Sequence, residues 1–380
     1  MSTRINYTYY PFSATQRDFP GLFVEKPSIL VSASSELRAR LLNMLKHVLD
    51  RGEISMEFIR DPEESVLFYY ALLDVLKSIG DSRVISRVAL AYSKTASKYL
   101  IGEKGELLVL LANKLGLNAR YETSDYPRIP RVLSGLGKVS VKMVSYQYSL
   151  PINQYLELVS KRLLHDPAYS LVNYFIWSGR VYVDRSTFIR ILEERIYNTV
   201  INHVAQAEPP EAVDYSSLIE EVKSIVSKYY EKIVVKPRVV EGELKSPYLP
   251  GGGLVLIEDL FPPCMKKVVE TLKTGGNPSH VERFNLAAFL GQIGLGADEV
   301  LDYFRNTPDF NEKIARYQVE HILGLRGGRK KYMPYRCENL KSSGICPITE
   351  QCKGGKNPLA VYKYNLREYF KKRSEGEKEV

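Results

Sequence analysis

Four cysteines, Cys264, Cys337, Cys346 and Cys352, offer the most specific chemistry in this chain. All lie in its last third, and the later three are spaced Cys-x8-Cys-x5-Cys. A chain of 380 residues needs no disulfides to fold, so this clustering reads as one four-thiolate site. Zinc sites usually gather cysteines in C-x2–4-C pairs, and no such pair occurs here. Wide, irregular spacing on loops favours a [4Fe–4S] cubane gripped from separate directions. On spacing alone, zinc and unrelated structural cysteines stay open. Whatever the metal, it would tie Cys264 to a loop-rich end whose folding depends on it.

The surrounding residues suit an anion. His280 and Arg283 stand three apart, on one helical face, in a first turn whose unpaired N–H groups already favour negative charge. Lys266 and Lys267 follow Cys264 directly. Arg326, Arg329, Lys330, Lys331 and Arg336 come among glycines, where backbone can approach a phosphate. Tyr317, Tyr332 and Tyr335 flank that loop and can stack on bases. Residues 326–373 hold 13 basic and 3 acidic residues, which outweighs the +9 excess of the whole chain. Such a concentration suits a phosphate backbone. The competing readings are a solvated face for the basic run and an ordinary exposed or capping histidine for His280.

The elements that must position these groups read as mostly α. Asp61-Pro62-Glu63-Glu64 opens a helix with an Asp cap, a first-turn Pro and acids at the positive dipole end. Val66, Leu67, Tyr70, Leu73 and Leu76 then repeat at helical spacing. Asp166-Pro167 is expected to open another helix through Leu171 to Trp177. A third is expected over 185–203, with Phe188, Ile191, Leu192, Ile196 and Val200 on one face. Strands are expected around 138–148 and at Val181-Tyr182-Val183, which makes a small α/β subdomain at about 117–185 inside a helical N-terminal domain, residues 1–235. Pro237, Gly242, Pro247, Pro250 and Gly251-Gly252-Gly253 mark a linker at 236–253. A helical iron–sulfur C-terminal domain is expected over 254–370. There Phe261-Pro262-Pro263-Cys264 leads into a helix through Val268, Val269 and Leu272, Ser279 and Glu282 form a capping box, and Asp298 and Glu299 start a third helix. From Gly324 onward regular structure is expected to thin out, and 371–380 read as a flexible tail.

Composition and missing motifs exclude several classes. An apolar fraction of 44% with 26% charged residues is that of a globular protein, not a disordered one. No run of about 18 apolar residues occurs, so no membrane span is expected. The N-terminus lacks a basic region followed by an apolar one, so the cytoplasm is the expected compartment. There is no G-x4-G-K-[ST], Asp-x-Asp, G-x-S-x-G or H-E-x-x-H. The chain therefore reads as a binder with no catalytic residues of its own.

The C-terminal third resembles the large subunit of archaeal and eukaryotic DNA primase. The matching pieces occur in order: Phe261-Pro262-Pro263-Cys264-Met265; His280-x-x-Arg283 with Phe289-Leu290 and Ile293-Gly294-Leu295; Tyr317-x-x-x-His321-x-x-Gly324; and Tyr332-x-Pro334-Tyr335-x-Cys337 with Cys346-Pro347 and Cys352. Asp61-Pro62, Tyr69-Tyr70, Leu171-Val172-Asn173 and Gly179-Arg180-Val181-Tyr182-Val183 are more loosely similar to archaeal large subunits.

The resemblance implies a regulatory subunit of a heterodimeric primase in the replication machinery, associated with the nucleoid. Its N-terminal domain would dock a catalytic small subunit, which would explain the missing Asp-x-Asp. Its C-terminal domain would carry a [4Fe–4S] cluster on Cys264, Cys337, Cys346 and Cys352, and would help bind single-stranded template and the initiating nucleotide or RNA primer 5′ end. In eukaryotic members the His-x-x-Arg pair contacts the 5′-triphosphate, a role carried here to His280 and Arg283, with Tyr317, Lys266, Lys267, Arg329, Lys330 and Arg336 as further nucleotide or nucleic-acid contacts. A third primase subunit is compatible with this reading. Leu286 and Ala315 stand where some eukaryotic members have tyrosines proposed to relay charge, which favours a structural cluster. Two alternatives remain: a metal-stabilised nucleic-acid-binding protein unrelated to priming, and an iron–sulfur nuclease. The nuclease would need a Glu-x-Lys group between Cys264 and Cys337, and none occurs there.

Overall fold

The computed structural model describes residues 4–124, 126–135, 138–160, 162–163, 166–231, 254, 256–347, 352 and 355–376. The chain divides into two units, Met1–Lys228 and Tyr229–Val380. The expected linker, 236–253, lies outside the described residues. The fold is mostly α, with fourteen α-helices among the described residues.

The first unit opens with α1 (Pro27–Ala33), α2 (Ser35–Arg51), α3 (Pro62–Ile79), α4 (Ser82–Leu100) and α5 (Gly105–Lys114). The cap read at Asp61 forms: its carboxylate accepts the Glu64 N–H at 2.8 Å. Helix α3 ends where Gly80 turns left-handed at φ 67°, donating its N–H to Leu76. It is apolar on most sides because it is central, and Val66, Phe68, Tyr69, Leu72, Val75 and Leu76 are all buried.

The strands lie between Arg120 and Val183. They are β1 (Arg120–Tyr121), β2 (Arg128–Gly135), β3 (Lys138–Ser145), β4 (Tyr148–Pro151), β5 (Phe175–Trp177) and β6 (Arg180–Val183), with α6 (Ile152–Val159) after β4. An antiparallel sheet has the order β1-β4-β6-β5, and β2 and β3 form a separate ribbon. Leu150 pairs with Val181 at the sheet's buried centre. Helix α7 (Arg185–Gln206), capped by Asp184 accepting the Thr187 N–H at 2.9 Å, lies under it, and Tyr148 stacks on Phe188 at 4.6 Å. Helix α8 (Val213–Glu231) comes next. All five apolar residues assigned to the face of α7 are fully buried.

The helix expected from Asp166 to Trp177 does not form. Short 3-10 turns at Pro167–Tyr169 and Leu171–Asn173 give way to strand β5. Ser170 is extended at ψ 136°, which breaks the helical path. Ser178 and Gly179 both take positive φ, 48° and 71°, and so close a two-residue hairpin that pairs Trp177 with Arg180.

The second unit contains α9 (Pro263–Lys273), α10 (His280–Ile293), α11 (Ala297–Phe304), α12 (Glu312–Ile322), α13 (Cys337–Ser342) and α14 (Pro358–Gly376). The capping box of α10 is present, with the Ser279 N–H donating to Glu282 at 2.8 Å. Phe261, Phe289 and Tyr362 meet edge to face at 5.0–5.5 Å in the core. The Tyr362 hydroxyl accepts the Ile257 N–H, and Asn365 donates to the Leu260 carbonyl, each at 2.9 Å. Regular structure thins out after Gly324, to α13 alone among the described residues of 324–357, and then returns: Leu359, Tyr362 and Leu366 anchor a long helix on the segment that precedes Cys264. That helix extends to Gly376, into the stretch expected as a tail from 371, and 377–380 lie outside the described residues.

Candidate functional site

Cys264 is the second residue of α9, buried at 5% exposure, because α9 turns this face toward the core with Met265, Val268 and Leu272. Cys337, Cys346 and Cys352 are half-buried. Backbone bonds hold two of them: the Cys337 N–H donates to the Lys356 carbonyl and the Cys346 N–H to Leu340, each at 2.9 Å. The sulfurs act on one another. Burial first, then the charges of Cys346, Cys352 and Cys337, push the Cys264 thiol up to about 12. Cys337 is raised by burial and by Cys352 and Cys346. Cys264 thus lies within electrostatic reach of the other three thiols. Among the described residues, no three Cys, His or acidic side chains are gathered tightly enough to hold one metal ion.

Beside them runs a series of rings. Tyr317 and His321 are 6.5 Å apart, His321 and Tyr332 5.6 Å, Tyr332 and Phe284 5.8 Å, Phe284 and Tyr335 5.4 Å. They come from α10, α12 and the segment 332–335. That segment is pinned by buried Asn285, whose side chain accepts the Tyr335 N–H at 2.7 Å, and by Gln292 donating to the Tyr332 carbonyl at 2.8 Å. Tyr317 is 57% exposed, Tyr332 38% and Tyr335 41%. The basic loop folds over α12 at Gly324 (φ 76°), where a Cβ would come within 2.9 Å of the Lys331 nitrogen. Arg329, Lys330, Lys331 and Arg336 are exposed on it. Arg326 lies 5.8 Å from the Tyr317 ring and pairs with Glu320.

His280 is the first residue of α10 and exposed. Arg283 is not loose. Its Nε donates to the Pro278 carbonyl at 2.9 Å, and its Nη2 to Asp309 at 2.8 Å and to Asn277. Lys266 and Lys267 sit on α9 beside Cys264 and take no part in the ring series. The structure thus joins Tyr317, Tyr332, Tyr335 and the loop cations. Sequence reasoning misses Phe284 as a ring of this series. It also misses an exposed apolar set in the first unit, Val172, Phe175, Ile176 and Trp177, on and before edge strand β5. The consecutive apolar residues Phe175-Ile176-Trp177, followed by the Ser178-Gly179 turn, are the available signal.

Residues 255–373 match the family model for the C-terminal domain of the large subunit of eukaryotic and archaeal DNA primase. The chain is 28% identical over 375 residues to the DNA primase large subunit of Methanosarcina mazei, covering 97% of this chain and 90% of that protein. It is 28% identical over 377 residues to that of Methanococcoides burtonii, covering 97% and 94%. It reaches 45% over 103 residues with that of Methanopyrus kandleri, covering 27% and 25%. Residues 255–373 thus carry that family's domain, and nearly the whole chain is similar to archaeal DNA primase large subunits, which supports a role as a DNA primase subunit. Among the described residues, no helix is long and apolar enough to cross a membrane.

Proposed function

We propose that this chain is the non-catalytic subunit of a heterodimeric, cytoplasmic primase. Its first unit docks the catalytic subunit. Its second unit binds single-stranded template and the initiating nucleotide or primer 5′ end, so that two nucleotides meet in the partner's active site. The catalysis this supplies is proximity and orientation. The observation that carries the reading is the series Tyr317–His321–Tyr332–Phe284–Tyr335, whose three tyrosines are exposed, edged by Arg329, Lys330, Lys331 and Arg336. Rings with cations at their margin fit stacked bases and the phosphates between them.

Cys264, Cys337, Cys346 and Cys352 would hold a [4Fe–4S] cluster. Its contribution when bound is structural cross-linking. The donor chemistry supports it: the charges of the other three thiols help raise the Cys264 thiol, and those of Cys352 and Cys346 help raise Cys337. At neutral pH the metal-free thiols of Cys264 and Cys337 hold their protons, which ligation would release. Cluster uptake should therefore strengthen as pH rises.

Two measurements test the nucleic-acid reading. Fluorescence anisotropy with single-stranded DNA should show Tyr332→Ala weakening binding by roughly 5–150-fold, from about 1–3 kcal/mol of stacking, with the salt slope unchanged. Equal binding by the variant contradicts the assignment of the rings. In the heterodimer, Arg283→Ala should slow initiation about tenfold or more while leaving extension of a supplied primer near native. Equal loss of both steps would refute a 5′-end role for Arg283.

A further inference from the structure

We propose that the first unit also binds a nucleoside phosphate, in a two-lobed hollow between α3, the N-terminal segment and the C-terminal half of α7. One lobe, about 300 Å3, is lined by Ser13, Thr15, Lys114, Arg195, Thr199 and Asn202 among others. The second, about 360 Å3, is lined by Phe23, Lys26, Pro27, Leu73, Asp74 and Glu208 among others. Tyr70, His203 and Gln206 line both, so the lobes adjoin. Each volume lies within the range of small-ligand sites, about 300–1,000 Å3.

The lobes differ in chemistry. The first has two cations and no carboxylate among its lining residues. Arg195 spends its Nε on the Leu115 carbonyl at 2.7 Å. Its Nη2 lies over Gly116, where a Cβ would stand 2.9 Å away, so the absent side chain makes room for the guanidinium. Lys114 is steadied by Asp18 at 2.9 Å and the Tyr7 hydroxyl at 2.6 Å. His203 is held against the fully buried Tyr69, whose hydroxyl lies 2.7 Å from its Nδ1, and burial favours the neutral ring. With the Asn202 and Gln206 amides, these groups match the acceptor oxygens of a phosphate.

The second lobe is walled by Phe23 and Tyr70, edge to face at 4.9 Å, with Pro27 and Leu73. That wall suits a flat heterocycle. Asp74, which accepts from Ser28 at 2.6 Å, and Glu208 supply acceptors at its margin, where an exocyclic amine can be read. A cationic lobe beside an aromatic one is the complement of a base joined to a phosphate. None of these residues belongs to the cysteines or the ring series of the second unit.

Photolabelling of the full chain with 8-azido-ATP, followed by peptide mapping, tests the site. Label is expected on the peptides containing Phe23 or Tyr70. ATP and AMP should compete for it at least about tenfold better than adenosine, because the phosphate lobe supplies charged hydrogen bonds. Arg195→Met should remove most of that label. Arg195 also packs against Gly116, so a second variant is needed in case this one misfolds. Asn202 is exposed, and Asn202→Asp adds a carboxylate to the lobe without removing a core contact. It should lower labelling at Phe23 and Tyr70 by about tenfold or more at unchanged melting temperature. Absence of label there, equal competition by adenosine, or undiminished labelling of Asn202→Asp each overturns the proposal.

Discussion

Cys264→Ala is expected to purify with far fewer than the roughly four irons per chain that the intact protein should carry, and with its second unit open to protease. Cys264 is the ligand on which this can be read most cleanly. It sits in α9, between the core residues Phe261 and Val268, whereas the other three thiols come from 337–352. The backbone bonds from Cys337 to Lys356 and from Cys346 to Leu340 close the segment 337–356 on itself, and Leu340 and Ile345 bury their side chains in the core of the unit. The triad Phe261–Phe289–Tyr362 would keep the core together while that segment loosens. The melting temperature of this unit should fall by about 10 °C or more, since metal-binding free energy is folding free energy. Cys264→Ser separates two causes: it removes the same thiol and should lose iron as the alanine variant does, while its buried, unpartnered hydroxyl costs about 1–3 kcal/mol more in stability. Iron content therefore reports ligation and melting reports packing. A protein carrying one zinc and no iron, or an alanine variant that keeps its iron, would sink the cluster assignment.

What the sequence discloses depends on how local the physics is. The caps at Asp61 and Ser279 are i to i+3 interactions, written in consecutive letters, and both form as read. The four cysteines and the basic run are equally visible, because residue type alone carries their chemistry. Asp166-Pro167 looks like the same signal and is not. Asp166 does accept from Ala168 at 2.9 Å, but the course of the chain beyond it is decided by the Ser178–Gly179 turn and by pairing with β6, neither of which the cap foretells. Helix α14 is hidden by the glycines and prolines before it, although Pro358 in its first turn is itself a start signal. The ring series is only half legible: three tyrosines stand out, but His321 and Phe284 join them through the packing of α10 against α12. Arg283 reads as a cation awaiting an anion, while its partner Asp309 lies 26 residues away and no spacing rule reaches it.

Trp177→Asp should abolish co-purification with the catalytic subunit while leaving the first unit as stable as before. Val172 is 87% exposed, Trp177 66%, Ile176 42% and Phe175 37%. Four large apolar side chains in one short stretch are more than the scattered exposure that folded surfaces tolerate. They also lie on or beside β5, an edge of the sheet whose only partner among the described residues is β6, so backbone donors and acceptors are open where the apolar groups are. The turn at Ser178 and Gly179 holds Trp177 at the hairpin tip by backbone geometry, so the ring is presented at little entropic cost. A Trp at the centre of such a patch contributes about 2–4 kcal/mol to association, or roughly 30- to 1,000-fold in affinity, and an aspartate there adds a desolvation penalty. Because the ring is exposed in the single chain, its removal opens no cavity, and the melting of the first unit should stay within about 1–2 °C of native. The heterodimer's affinity, measured by titration of the catalytic subunit, should collapse, and primer synthesis by the mixture with it. Undiminished association would place the docking surface elsewhere on the first unit. Lost association together with lost stability would mean that Trp177 holds the hairpin together rather than the partner.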